Sequence, residues 1–255
     1  MKNKPVLRQH VIFDLDDTLI YCNKYFEMVL DQFTELLQDM FGPERIKPSE
    51  IRAKQIEIDV AGVHQIGFAS HHFPQSLVET YRYFARLLDH PASKIEEARL
   101  VKLGLSVYDH TVEPYPGMVE TLEILKKQGH ELYLYTGGET RIQQRKIDQM
   151  RLSEYFDDRI YIRQHKNVQA LEEIIGMHQF NRSLTWMIGN SLRTDIEPAL
   201  TAGINSIYIK RPDEWAYNLI ELQQKTNMIM YTTTSLEEVP SIIAESIALK
   251  HQRTL

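Results

Sequence analysis

From residue 114 to about 210 the chain repeats one pattern: a short apolar run, a polar or glycine-containing break, then a helical stretch. The apolar runs are Glu131-Leu-Tyr-Leu-Tyr135, Arg159-Ile-Tyr-Ile162, Leu184-Thr-Trp-Met-Ile188 and Ser206-Ile-Tyr-Ile209, with helices expected over about 117–128, 139–150, 168–177 and 194–202. Strands separated by helices cannot be joined as tight hairpins. They run parallel, and a parallel sheet needs helices on its faces. One further run, Val11-Ile-Phe13, is short and partly β-branched and stops at an acidic cluster. It has no other strand to pair with and is assigned to the same sheet.

Between that first strand and the alternating region the chain reads as helical. Phe26, Val29, Leu30, Phe33, Leu36, Leu37, Met40 and Phe41 recur at helical spacing until Gly42-Pro43 breaks the pattern. Ser76-Leu-Val-Glu79 and Ser93-Lys-Ile-Glu96 match the capping-box pattern and predict two helix starts, with Leu77, Tyr81, Phe84 and Leu88 on one face after the first. The expected fold is therefore α/β, a parallel Rossmann-like sheet core with an inserted α-helical cap domain. The core takes residues 1–19 and 114–255, and the cap takes 20–113.

Composition narrows the function. In 255 residues, 43% are hydrophobic and 25% charged, enough to build a large core. The single cysteine, Cys22, excludes an intrachain disulfide and a cysteine-built zinc site. A formal net charge of −6 leaves no electrostatic footprint for nucleic acid. No run approaches the ~20 apolar residues of a membrane span. No apolar stretch with a small-residue cleavage pattern follows Met1, so a cytoplasmic protein is expected. Nothing in the pattern speaks to oligomeric state.

In open parallel sheets, ligands bind beyond the carboxyl ends of the strands. The residues just past each expected strand are Asp14-Leu-Asp16-Asp17-Thr18, Thr136-Gly137-Gly138, Arg163-Gln-His-Lys166-Asn167 and Gly189-Asn190-Ser191-Leu-Arg-Thr-Asp195. Each group alone has an ordinary explanation. Asp and Asn form turns, glycines link strands to helices, and a lone lysine sits on the surface. Together they bring hard oxygen ligands, a hydroxyl, backbone amides and an ammonium to one rim, which suits one divalent cation and one phosphate.

The runs Val11-Ile-Phe-Asp14-Leu-Asp16-Asp17-Thr18-Leu19, Leu134-Tyr-Thr136-Gly-Gly and Ile188-Gly-Asn190-Ser-Leu-Arg-Thr-Asp195-Ile resemble, in order, the first, second and fourth motifs of the haloacid dehalogenase (HAD) superfamily. The resemblance covers about 10–20 and 114–210, and the insertion point is similar to that of phosphoglycolate phosphatase-like and nucleotidase-like members. It implies a Mg²⁺-dependent phosphomonoester hydrolase acting on a small phosphorylated metabolite through an aspartyl-phosphate. Asp14 would be the nucleophile, and Asp16 the acid that protonates the leaving oxygen and then the base that activates water. Thr136 and the Gly137 amide would hold phosphoryl oxygens. Asp14, Asp16, Asn190 and Asp195 would hold the metal. The family lysine that follows the third strand fits Lys166, with Lys146 in the helix after motif two as its rival.

The fourth motif departs from the family, which generally has Gly-Asp where this chain has Gly189-Asn190. One negative charge is gone, which predicts weaker metal binding and opens the alternative of a catalytically weak phosphate- or metabolite-binding protein. A phosphomutase of the same family keeps both acids and is a further alternative. A dehalogenase lacks the acid at the position of Asp16, and a receiver domain is much shorter and has no cap. His64, His71 and His72 are expected on a loop facing the site, and Trp186 and Trp215 in packing roles.

Overall fold

The first strand, β1 (His10–Phe13), is apolar at every position but its first, because it is covered on both sides. The computed structural model describes residues 7–222 and 228–253. The chain divides into two compact units, Met1–Tyr21 with Val112–Leu255, and Cys22–Thr111.

The second unit is helical. It holds α1 (Asn23–Phe41), α2 (Pro48–Ile66), α3 (His72–Leu87) and α4 (Lys94–Leu105), followed by one short turn of helix at Ser106–Tyr108. Its apolar core gathers Phe33, Leu37, Ile51, Leu77, Tyr81 and Leu100. The amphipathic stripe expected over 26–41 is α1, which stops before Gly42. The helix start expected at Ser76 lies elsewhere, since α3 begins at His72 and Ser76 is buried inside it. Its hydroxyl donates to the Phe73 carbonyl (2.8 Å) and accepts from Gln55 Nε2 (3.0 Å). A serine satisfied in this way is a mid-helix residue, not a cap. Ser93 does precede α4, with its backbone N–H donating to the Tyr81 hydroxyl (2.9 Å) and no side-chain cap bond. The histidines do not share one loop: His64 lies in the last turn of α2, while His72 opens α3 and sits 2.8 Å from the Asp59 carbonyl.

The first unit carries α5 (Met118–Lys127), β2 (Glu131–Gly137), α6 (Thr140–Gln149), the short α7 (Ser153–Phe156), β3 (Ile160–Arg163) and α8 (Val168–His178). Then follow β4 (Thr185–Gly189), α9 (Glu197–Thr201), β5 (Asn205–Ile209), β6 (Met230–Thr233) and α10 (Val239–Arg253). The six strands form one parallel sheet in the order β3-β2-β1-β4-β5-β6, the expected Rossmann-like arrangement. Alternate residues of the central strands enter different cores. Val11, Phe13, Leu134, Trp186 and Ile188 pack with α5 and α10, whereas Ile12, Tyr133, Tyr135 and Met187 pack with α8 and α9. Two-sided burial is what makes these strands continuous apolar runs. The expected helix over 194–202 divides into a π-type turn at Leu192–Ile196 and then α9.

Candidate active site

Strand order reverses around β1 and β4, which pair Phe13 with Ile188. In such sheets the crevice beyond this switch point is the place for a ligand. Asp14 follows β1, and its N–H still donates to the Ile188 carbonyl (2.9 Å), so the sheet itself sets the position of this carboxylate. Gly189 closes β4, and a side chain there would meet Asp195 Oδ2 at 2.2 Å. Glycine is required for that close approach.

Around Asp14 the groups interlock. Lys166 Nζ donates to Asp14 Oδ1 (2.6 Å) and to Asp195 Oδ1 (2.5 Å). Asp195 Oδ2 accepts from the Ser191 backbone N–H (3.0 Å). The Thr18 hydroxyl donates to Asp14 Oδ2 (2.8 Å) and lies 3.3 Å from Asn190 Oδ1. Lys166 reaches this place because Asn167 caps α8, its side chain accepting from the Ala170 N–H at 2.9 Å, and because the ammonium lies 4.9 Å from the centroid of the Tyr135 ring. Burial raises the Asp14 carboxyl well above the usual carboxylate range; Lys166 opposes this and Asp195 adds to it. Burial works against the charge on Lys166, but the Asp14 and Asp195 carboxylates outweigh it and hold the ammonium above its ordinary pKa.

Asp16 faces a different partner set. Lys146 Nζ donates to its Oδ1 (2.7 Å) and Oδ2 (2.9 Å), and Gln143 Nε2 donates to Oδ2 (2.9 Å). The same Gln143 amide donates to Thr136 Oγ1 (2.6 Å). Gly137 ends β2 opposite Arg163. The structure thus joins Asp14, Lys166, Asp195 and Asn190 in one hydrogen-bonded group, through Thr18 for Asn190. It joins Asp16 and Thr136 in a second, and the two lysines serve different carboxylates.

Among the described residues no three Asp, Glu, His or Cys side chains form a ready metal cage. The donors at the switch point are the carboxylates of Asp14 and Asp195 and the carboxamide of Asn190, all hard oxygens. That set fits Mg²⁺, which takes few protein ligands and keeps waters.

Gln143 and Arg211 escape a reading of strand ends and motifs, and Thr18, which stands in the first motif, is given no role by it. Arg211, two residues past β5, is buried; its Nε donates to the Asp17 carbonyl (2.7 Å) and its Nη2 to the Thr18 carbonyl (2.9 Å), with the guanidinium 3.5 Å from the Tyr115 ring centroid. It braces the loop after Asp14, where Asp17 takes a left-handed conformation at φ 56°. Applying the strand-end rule to the fifth strand would have found it. Gln143 and Lys146 are three residues apart within the helix expected over 139–150, so their shared face is legible in the sequence.

A parallel α/β fold with paired carboxylates, a buried lysine and a hydroxyl at its switch point has the architecture of an enzyme site. The model of the haloacid dehalogenase-like hydrolases matches residues 9–203, and the chain belongs to that family. It is 26% identical over 215 residues, 80% of this chain and 85% of the relative, to a ribulose-1,5-bisphosphate 5-phosphatase of Halopiger xanaduensis. It is 29% identical over 140 residues to the pyrimidine 5'-nucleotidase PynA of Streptococcus pneumoniae, a match spanning 52% of this chain and 58% of that one. In fold it is similar to the crystal structure of a haloacid dehalogenase-like family hydrolase from Xanthomonas campestris, with a TM-score of 0.77, 22% identity, and coverage of 99% of this chain and 97% of that one.

Proposed function

We propose that this chain is a Mg²⁺-dependent phosphomonoester hydrolase that acts on a small phosphorylated metabolite through an aspartyl-phosphate. The observation that carries this reading is the Asp14 carboxylate at the switch point, oriented by Lys166 on one oxygen and Thr18 on the other. In the first step an Asp14 oxygen bonds to phosphorus, the bond to the substrate oxygen breaks, and Asp16 gives that oxygen a proton. In the second, water attacks the phosphorus, Asp16 takes its proton, and the Asp14 carboxylate and inorganic phosphate are released. Thr136, the Gly137 amide and Lys166 are assigned to the phosphoryl oxygens, whose charge needs fixed donors. Asp14, Asp16, Asn190 and Asp195 are assigned to hold Mg²⁺, which when bound neutralises charge between carboxylate and phosphoryl group. The helical unit is assigned the role of a cap over residues 20–113, and the protein a cytoplasmic location. Phosphatase activity in the named relatives supports this choice of reaction.

Hydrolysis of an aryl phosphate, with and without Mg²⁺ and beside an Asp14→Asn control, tests the reading. Metal-dependent turnover that the variant lacks is expected; equal turnover by both proteins would overturn it. Asn190 favours a second reading, a phosphate-binding protein with weak turnover. Asn190→Asp restores a carboxylate and is expected to lower the Mg²⁺ concentration that half-saturates activity. An unchanged or higher requirement would remove the link between Asn190 and metal affinity.

A further inference from the structure

Asp16 lies on a loop, yet its carboxylate is held by a helix. Gln143 and Lys146, three residues apart, project from one face of α6, and Ile147 beside them is fully buried in the core under the sheet. Lys146 contacts both carboxylate oxygens, at 2.7 and 2.9 Å, and Gln143 contacts the second at 2.9 Å. An amide nitrogen carries two protons, and Gln143 directs its Nε2 at Asp16 Oδ2 and at Thr136 Oγ1. Thr136 thereby accepts from Gln143 and keeps its own proton to donate. Gly138, at φ +138°, makes room for this, since a Cβ there would stand 3.0 Å from Gln143 Cγ.

We propose that Lys146 and Gln143 are positioning residues that fix the Asp16 carboxylate in register with the Thr136 hydroxyl. The proposal rests on the phosphoryl-transfer reading above for the roles of Asp16 and Thr136. Without the α6 donors the Asp16 side chain takes the other staggered rotamers open to a loop aspartate. Displacement of a proton-transfer group by about 1 Å costs on the order of 100-fold in rate. Substrate capture is left to Thr136, Gly137 and Lys166, so the effect falls on the chemical step.

Two readouts decide it. In steady-state hydrolysis of an aryl phosphate, Lys146→Met is expected to lower kcat by about 10- to 100-fold with KM changed by less than about threefold, and Lys146→Arg to recover most of the loss. A raised KM with kcat unchanged would make Lys146 an anion-binding residue and overturn the proposal, as would no change in either. The second readout needs no activity. Crystal structures of wild type and Lys146→Met should show the Asp16 carboxylate displaced or in several rotamers in the variant; an unmoved Asp16 overturns the proposal. Should Lys146→Met fail to fold, Gln143→Leu carries both readouts, with KM also rising because it touches Thr136. A wild type inert towards all phosphomonoesters would sink the phosphatase reading alone, and the Asp16 rotamer would still decide the positioning.

Discussion

At the candidate site Lys166 and Lys146 both meet carboxylates, and they live in different dielectric worlds. The Lys166 side chain is 3% exposed, with Asp14 at 8% and Asp195 at 1%. The Lys146 side chain is 14% exposed and its partner Asp16 25%. In the first group one ammonium stands between two buried carboxylates, so each charge depends on the others. In the second, water shares the work of solvation and the pair chiefly sets geometry. A buried charge group becomes a structural dependency when one member is removed, whereas a partly exposed pair changes position more than stability.

The largest effect tests the buried group. Lys166→Met leaves Asp14 and Asp195 facing each other without a counter-charge, and should cost about 3–5 kcal/mol of stability in urea unfolding with EDTA present, together with all turnover. A variant as stable as wild type would break the contrast. Next comes Arg211→Met, which keeps the volume but strips the Asp17 and Thr18 carbonyls of their donors. About 1–3 kcal/mol should be lost, with kcat falling as the loop after Asp14 loosens. Activity unchanged at reduced stability would confine Arg211 to the fold.

Acid sharpens the contrast from the opposite end of the sheet. Burial holds His10 and His130 below the ordinary value of 6.5. His130 Nδ1 also accepts the Gln9 N–H (3.2 Å), which a protonated ring cannot do. The unfolded chain therefore binds protons at a higher pH than the folded one. The histidines' contribution to stability is full above about 6.5 and declines as pH falls towards the lowered folded-state values, while the raised Asp14 carboxyl acts in the opposite sense. Urea midpoints at a series of pH values should show wild type losing stability relative to His130→Gln as the pH falls below about 6.5. The smallest expected change is the stability of Lys146→Met, a loss of about 1 kcal/mol or less. A loss matching that of Lys166→Met would show that the two lysines do not differ in kind.

Most of the sheet was legible because its strands are buried on both sides and so appear as unbroken apolar runs. The strand β6, Met-Tyr-Thr-Thr, was not legible. It lies at the edge of the sheet with Met230 36% exposed, and an edge strand needs no continuous apolar run. Ser76 misled because a serine three residues before a glutamate reads as a cap, whereas its hydroxyl is satisfied by Phe73 and Gln55 inside α3.

Strand–helix alternation by itself determined a parallel sheet, and a parallel sheet determined the rim on which Asp14, Thr136, Lys166 and Asp195 all stand. That follows because handedness and connection rules leave few topologies, and strand ends are local features. Which lysine serves which carboxylate was decided only in three dimensions. Lys166 reaches Asp14 across 152 residues of sequence, and Lys146 reaches Asp16 across 130. The second distance is closed by the packing of α6 on the sheet, whose phase points Lys146 at Asp16. The first is closed by the loop between β3 and α8, which carries Lys166 and is fixed by the Asn167 cap. A motif names the residues that gather at a site; only the packed helix α6 and the capped loop before α8 assign their partners.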